Sequence, residues 1–253
     1  MNLFDTTGMT LNTVQWQSAA ITHAGNVRNY NEDACLVLEH PKLWVVADGM
    51  GGHEAGDVAS NMIMQDLKQL NPTAKLNDFI DDVDDKLINV NRKLRTMARE
   101  QYNNRTIGST VITMLASGEH VAYLWAGDSR LYRIRDKQIT RLSTDHSEVQ
   151  NLIEQNLLLP EEAEKHPSAN VITRAIGAVD NLYLSVGVEK VKTNDIYLLC
   201  SDGLYRDISD DELLKNSFEK NPNQITNNLM NLALSREAKD NITIVVAKCV
   251  LTE

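Results

Sequence analysis

The chain has 253 residues, 42% of them apolar and 24% charged, which is the make-up of a folded globular protein with a sizeable core. Acids outnumber bases 35 to 25, for a formal charge of -10 with no local basic cluster, which disfavours a nucleic-acid backbone as partner. Apolar runs of about six residues fall far short of the roughly 20 that span a bilayer. Met1–Thr10 also lack the basic and apolar regions of a secretory signal.

In chain order, residues 1–13 read as a loose leader and residues 14–253 as a single domain. No repeat, low-complexity tract or Pro/Gly-rich linker divides them. Short runs rich in Val, Ile, Leu, Tyr and Trp predict strands at Trp16–Thr22, Ala34–Leu38 and Leu43–Ala47. A helix is expected over Gly56–Leu70, with Val58, Met62 and Leu67 inward. A longer one carries Ile80, Val83, Leu87, Val90, Leu94 and Met97 at steps of three and four. Asp81, Asp82, Asp84 and Asp85 fall on its opposite face, near the helix start where carboxylates suit the macrodipole, and read as solvated. Further strands are predicted at Ser109–Ala116, His120–Ala126, Leu131–Arg135, Ile196–Cys200 and Ile242–Cys249. Helices are predicted at Asp210–Phe218 and Asn223–Arg236, with Pro222 at the start of the second. The pattern implies an α+β layered domain with largely antiparallel sheets and leaves the topology open. Cys35, Cys200 and Cys249 sit in apolar runs and read as buried free thiols of a reducing cytosol. Nothing has zinc-ligand spacing.

The informative feature is the placement of acids at strand ends. Trp44-Val-Val-Ala runs into Asp48-Gly49-Met50-Gly51-Gly52-His53, and Ile196-Tyr-Leu-Leu-Cys-Ser into Asp202-Gly203-Leu204. Asp240-Asn241 opens the last apolar strand, and Asn31-Glu32-Asp33 precedes Ala34-Cys-Leu-Val-Leu. Any one Asp-Gly or Asp-Asn pair is an ordinary turn former. Four such acids beside four buried strands point instead to one cleft. Carboxylates gathered there repel one another unless cations neutralise them, and hard oxygen ligands suit Mg2+ or Mn2+. Gly49 lets the backbone approach an ion closely, and its carbonyl is a further candidate ligand.

The same residues carry a resemblance. Gly25-Asn-Val-Arg28-Asn-Tyr-Asn-Glu32-Asp33, Asp48-Gly49-Met-Gly-Gly-His53 and Gly108-Ser109-Thr110 come first. Gly127-Asp128-Ser129-Arg130, Thr144-Asp145-His146-Ser147 and Asn170-Val-Ile-Thr-Arg174-Ala-Ile-Gly177 follow, then Ser201-Asp202-Gly203-Leu204 and Lys239-Asp240-Asn241. In this order they resemble the metal-dependent serine/threonine protein phosphatases of type 2C, in their compact bacterial form.

The resemblance implies two antiparallel β-sheets stacked face to face and flanked by helices, an α-β-β-α sandwich with a small flap insert at about 147–169. It also implies two Mn2+ or Mg2+ ions, with Asp48 bridging, the Gly49 carbonyl on one of them, and Asp202 and Asp240 completing the inner ligands. Glu32 and Asp33 would hold water around the ions. A third ion is known among bacterial relatives, and Asp145 and Asp202 are taken as its ligands. Arg28 matches the phosphate-binding arginine. Gly108-Ser-Thr and Gly127-Asp-Ser-Arg are assigned to support, and Arg130 and Arg174 to structure. Hydrolysis would proceed by direct attack of a metal-activated water, with no nucleophilic Cys or Ser. Met50 stands where some relatives have His, and His53 is assigned a structural role. The implied substrates are cytoplasmic phosphoproteins, the implied partner a serine/threonine kinase, and the implied state a monomer. The rival readings are a different two-metal phosphoester hydrolase and a non-catalytic binding protein that keeps the fold.

A flap beside the site would select among protein substrates. Replacing residues 147–169 by a short linker is expected to reduce turnover of a phosphoprotein more than that of a small aryl phosphate, by on the order of tenfold. Equal loss on both substrates would remove the flap from substrate choice.

Overall fold

The structure is a computed structural model and describes residues 13–51, 55–71, 75–218 and 220–252. The strands are β1 (Thr13–His23), β2 (Asp33–Leu38), β3 (Leu43–Met50), β4 (Gly108–Ser109), β5 (Val111–Ser117), β6 (His120–Ala126), β7 (Arg130–Arg135), β8 (Gln138–Arg141), β9 (Ser185–Lys190), β10 (Ile196–Cys200) and β11 (Ile242–Thr252). The helices are α1 (Ala55–Leu67), α2 (Leu76–Gln101), α3 (Glu148–Glu154), α4 (Asp202–Tyr205), α5 (Asp210–Ser217) and α6 (Pro222–Leu234). One sheet runs β1-β11-β10-β7-β8; the other runs β2-β3-β5-β6-β9, with β4 paired to β3, and every pairing is antiparallel.

Strand burial explains the stacking. Continuous apolar runs such as Ile196–Cys200 are buried on both faces, as strands covered on each side require. Between the sheets lie Trp44, Ile112, Met114, Tyr197, Leu199 and Val245. On the far side of the second sheet, α1 and α2 cover Val45, Ala47, Leu115 and Leu124. On the far side of the first, α5 and α6 cover Leu198, Ile244 and Val246. The layers are therefore helix, sheet, sheet, helix, as the resemblance implied.

Local differences from the sequence expectations have physical causes. The strand expected over Ser109–Ala116 breaks at Thr110, whose hydroxyl contacts Ser129 Oγ at 2.7 Å instead of extending one ladder. In α1 the inward face is Ala55, Ala59, Ile63 and Leu67, while Val58 and Met62 are only half-buried. The small alanines let this helix lie close on the sheet. In α2 the buried line is Phe79, Val83, Leu87, Val90, Leu94 and Ala98, with Ile80 and Met97 at its margin. Asp81, Asp82 and Asp85 are exposed, in keeping with a solvated face. β8 and β9 escaped the sequence reading because both are edge strands, and on β9 the valines, Val186 and Val188, face outward. Helix α6 starts as its sequence predicts, with Asn221 capping Gln224 N and Pro222 in the first turn. Strand β1 begins at Thr13, the last residue of the expected leader; residues 1–12 lie outside the described residues. Cys200 and Cys249 are buried and Cys35 half-buried, all as free thiols.

One buried polar residue ties the long helix to the loop behind the site. Asn91 on α2 is 1% exposed. Its Nδ2 donates to Val179 O at 3.0 Å, and its Oδ1 accepts from Gly177 N at 2.6 Å. That loop in turn pairs Ile176 with Ser109. Asn91→Leu keeps the branching but orphans a buried N–H and a half-buried C=O. It is expected to lower unfolding free energy by about 3 kcal/mol, read from urea unfolding. An unchanged urea midpoint would mean that the loop does not depend on this clamp.

Candidate functional site

The two sheets deliver their acids to one end of the sandwich. The β2–β3 register sets Asp33 directly opposite Asp48. β10 ends at Cys200, and Asp202 opens α4 two residues on. β11 starts at Ile242, just after Asp240 and Asn241, and pairs with β10. Ser201 joins the sheets: its Oγ donates to Asp33 Oδ2 at 2.7 Å and accepts from Thr243 N at 2.9 Å.

Backbone bonds hold Asp48 still. Its carbonyl accepts from Thr110 N at 2.9 Å and from Ser109 Oγ at 2.9 Å, and its N–H donates to Thr110 Oγ1 at 3.1 Å. Ser109, Thr110 and Ser129 thus make the supporting contacts expected of their segments. Gly49 is required by close approach, since a Cβ there would lie 2.2 Å from Gly56 O. Glu32 serves the same junction: its carbonyl accepts from Gly49 N, and its Oε1 accepts from Gly56 N at the start of α1.

Asn241 is the positioning residue that sequence reasoning passed over. Its Nδ2 donates to Ala24 O at 3.0 Å and to Tyr30 O at 2.9 Å, and its Oδ1 accepts from Glu32 N at 2.8 Å. It therefore pins the loop that carries Arg28 and Glu32 to the start of β11. Arg28, half-exposed, reaches Asp240 Oδ2 with Nη2 at 2.8 Å. Its signal in the sequence was only the Asp-Asn pair, which also reads as a turn.

Burial governs the electrostatics. Desolvation, with repulsion from Asp202 and Asp240, pushes Asp33 up to about 7 despite hydrogen bonds from Thr243 and Ser201. Desolvation, then Asp33 and Asp202, raises Asp48 well above the usual carboxylate range. Desolvation also raises Asp202, against the opposing pull of Arg206. Asp128, 4% exposed, is pushed up to about 7 by burial and by Asp202 and Asp145.

Asp128 thus joins the acidic cluster, although sequence reasoning assigned its segment to support. Asp145 stands differently from the expectation. Arg130 grips it with a two-nitrogen fork, Nε at 3.1 Å from Oδ1 and Nη2 at 2.7 Å from Oδ2, and Arg141 approaches to 3.5 Å. Its charge is already answered by two arginines, whereas Asp128 lies beside Asp202 with Arg206 at 3.7 Å from its Oδ2. Arg130 also lies over the Tyr205 ring, and Arg174 bonds His146, Ser185 and Tyr183, in keeping with structural roles for both arginines. His53 lies outside the described residues.

The residues present fit divalent cations. Asp33 Oδ1 and Asp202 Oδ1 are buried and have no hydrogen-bond partner among the described residues. Anionic oxygens pushed above their ordinary pKa by mutual repulsion are the donor set a hard dication satisfies. Among the described residues no three His, Cys, Asp or Glu side chains already converge on one point. Arg28 and Arg206 draw Asp240 and Asp202 into ion pairs instead.

Comparison with known proteins agrees with this geometry. The family model described as Protein phosphatase 2C matches residues 23–237. The serine/threonine protein phosphatase PstP of Mycobacterium tuberculosis is 32% identical over 92% of this chain, which spans 45% of that relative's length. Among solved structures, PppA, a key regulatory component of T6SS in Pseudomonas aeruginosa, is 39% identical with a TM-score of 0.86, covering 92% of this chain and 97% of its own. The catalytic domain of PstP in complex with two manganese ions is 30% identical with a TM-score of 0.84, covering 94% of this chain and all of its own.

Asp33 and Asp128 have folded pKa values near 7 against an ordinary 3.8. Between about pH 4 and pH 7 the folded chain therefore holds protons that the unfolded chain has lost, and chelated protein loses stability as pH rises through that window. Saturating Mn2+ is expected to raise the melting temperature most at the upper end and to flatten the decline. A pH-independent melting temperature in chelator would contradict the burial of these acids.

Proposed function

The chain belongs to the protein phosphatase 2C family, and from that premise we propose that it removes phosphate from phosphoserine and phosphothreonine of other proteins in a metal-dependent hydrolysis. The observation that carries this reading is the meeting of Asp33, Asp48, Asp202 and Asp240 from two sheets at one end of the sandwich, with two buried carboxylate oxygens that have no hydrogen-bond partner among the described residues.

Two Mn2+ or Mg2+ ions would be held by Asp48, the Gly49 carbonyl, Asp202 and Asp240, with Glu32 and Asp33 around them. Bound there, such ions supply Lewis-acid charge and acidify water near neutral pH. The chain's own contribution is placement and charge. Arg28, on an exposed loop that Asn241 holds, can exchange Asp240 for a substrate phosphate, and its planar fork suits two phosphate oxygens at once. That contact orients phosphorus over the acidic cluster. Ser201 and Thr110 keep Asp33 and Asp48 from turning away. Cys200 and Cys249 are buried within the sheets, where burial raises both thiols, so neither is a nucleophile for this reaction.

Residues 14–253 act as one catalytic domain in this reading, and the flap at about 147–169 contributes to substrate choice. The partners are phosphoproteins and a serine/threonine kinase whose marks the enzyme reverses. The setting is cytoplasmic and the molecule monomeric. No helix among the described residues is long and apolar enough to cross a membrane.

Phosphate release from a phosphothreonine peptide is expected to vanish in chelator and return with Mn2+. Asp240→Asn is expected to lower the restored rate roughly a thousandfold, a loss of about 4 kcal/mol. Near-normal turnover by the mutant at saturating Mn2+ would sink the ligand assignment. No release by folded native protein, with either Mn2+ or Mg2+, would sink the activity.

A further inference from the structure

Arg206 follows helix α4, four residues after Asp202, so both side chains leave one face of the same turn. Its Nη2 lies 2.8 Å from Asp202 Oδ2 and 3.7 Å from Asp128 Oδ2. Its Nη1 donates to Asn170 Oδ1, at the exit of the flap. One guanidinium thus sits against two buried acids of the cluster and ties them to the segment that borders the site. It also forms part of the wall of a cavity of about 500 Å³ under the flap, together with Asp128, Arg130, Asp145 and Tyr205.

The neighbouring charges leave this place to Arg206 alone. Asp145, the other acid of the cavity, is taken by Arg130 and Arg141. Among the described residues, Arg206 is the cation that pairs with Asp128, at 3.7 Å. A guanidinium does not lose its proton at any pH an enzyme meets, so it is a fixed positive charge and not a switchable one.

We propose that Arg206 is a built-in cation at the Asp128–Asp202 side of the site, where it takes the place of a third divalent ion and holds the flap exit to the core. This rests on the two-ion reading of the remaining acids. A dication entering between Asp128 and Asp202 would meet a like charge within contact distance and would have to drive it out, which also releases Asn170. The chain therefore limits itself to two ions by its own sequence. Ion entry at the third position and freeing of the flap end become one event.

Calorimetric titration of chelator-treated protein with Mn2+ tests this. The native protein is expected to take up about two ions. Arg206→Ala is expected to bind about one more. Arg206→Gln keeps a polar, partly extended side chain but loses the charge, and is expected to behave like the alanine variant. Arg206→Lys keeps the charge and is expected to retain the native count. Adding Asp128→Asn to Arg206→Ala should abolish the extra ion. Circular dichroism confirms that each variant is folded, and the glutamine variant carries the test if alanine does not fold. Equal counts and affinities in native, alanine and glutamine proteins overturn the role of Arg206, as does a native protein that already takes three ions. Native uptake of fewer than two ions overturns the two-ion reading itself, a result separable from either.

Discussion

Four carboxylates at one end of the β-sandwich set the terms for the rest of this molecule. Asp33 and Asp128 are buried, Asp48 and Asp202 half-buried, and desolvation with mutual repulsion raises all four. Like charges opposite each other on paired strands oppose folding, and Asp33 and Asp48 occupy one such pair. The chain holds them in place because each is attached to a strand whose apolar residues have nowhere else to go. Trp44, Val46, Leu199 and Val245 lie between the sheets, so the strand ends cannot separate without opening that core.

The fixed frame divides the labour between backbone and side chain. Asp48 is positioned through its own main-chain N–H and C=O, which bond Ser109 and Thr110, while its carboxyl meets that of Asp202. Asp33 gives Oδ2 to Ser201, and its Oδ1 has no hydrogen-bond partner among the described residues. Asn241 does for the Arg28 loop what Thr110 does for Asp48: three hydrogen bonds from one amide fix a segment with no regular structure. A loop so tied can carry an exposed arginine at a defined distance from buried acids, which is the arrangement that phosphate recognition needs.

The arginines respond to the same constraint in two ways. Arg130 is spent on Asp145, with its guanidinium also over Tyr205, and this pair is part of the frame. Arg28 and Arg206 lie at the border between the acids and solvent, each bonded to one acid of the cluster. Their carboxylate partners are also proposed metal ligands. On that proposal, ion binding would be coupled through charge to the Arg28 loop and to the flap exit at Asn170, with no need for a change in the sheets.

Much of this was legible in the chain. Apolar runs that end in Asp48 and Asp202, and one that follows Asp240, marked the strands and the acids together, because period and burial are local properties. The long stripe of α2 and the capped start of α6 were legible for the same reason. What the sequence by itself determined was most of the strands, the major helices and most of the acids. Tertiary structure alone decided how they pair. Asp145 and Asp128 look alike in the sequence, each beside a short polar segment, and only the fold assigns Arg130 and Arg141 to one and leaves the other facing Asp202. Edge strand β9 was hidden because its outward valines answer to no buried face. Asn241 was hidden because a clamp is defined by the three distant groups it joins, and sequence spacing carries no record of which loops a fold will bring within 3 Å of one amide.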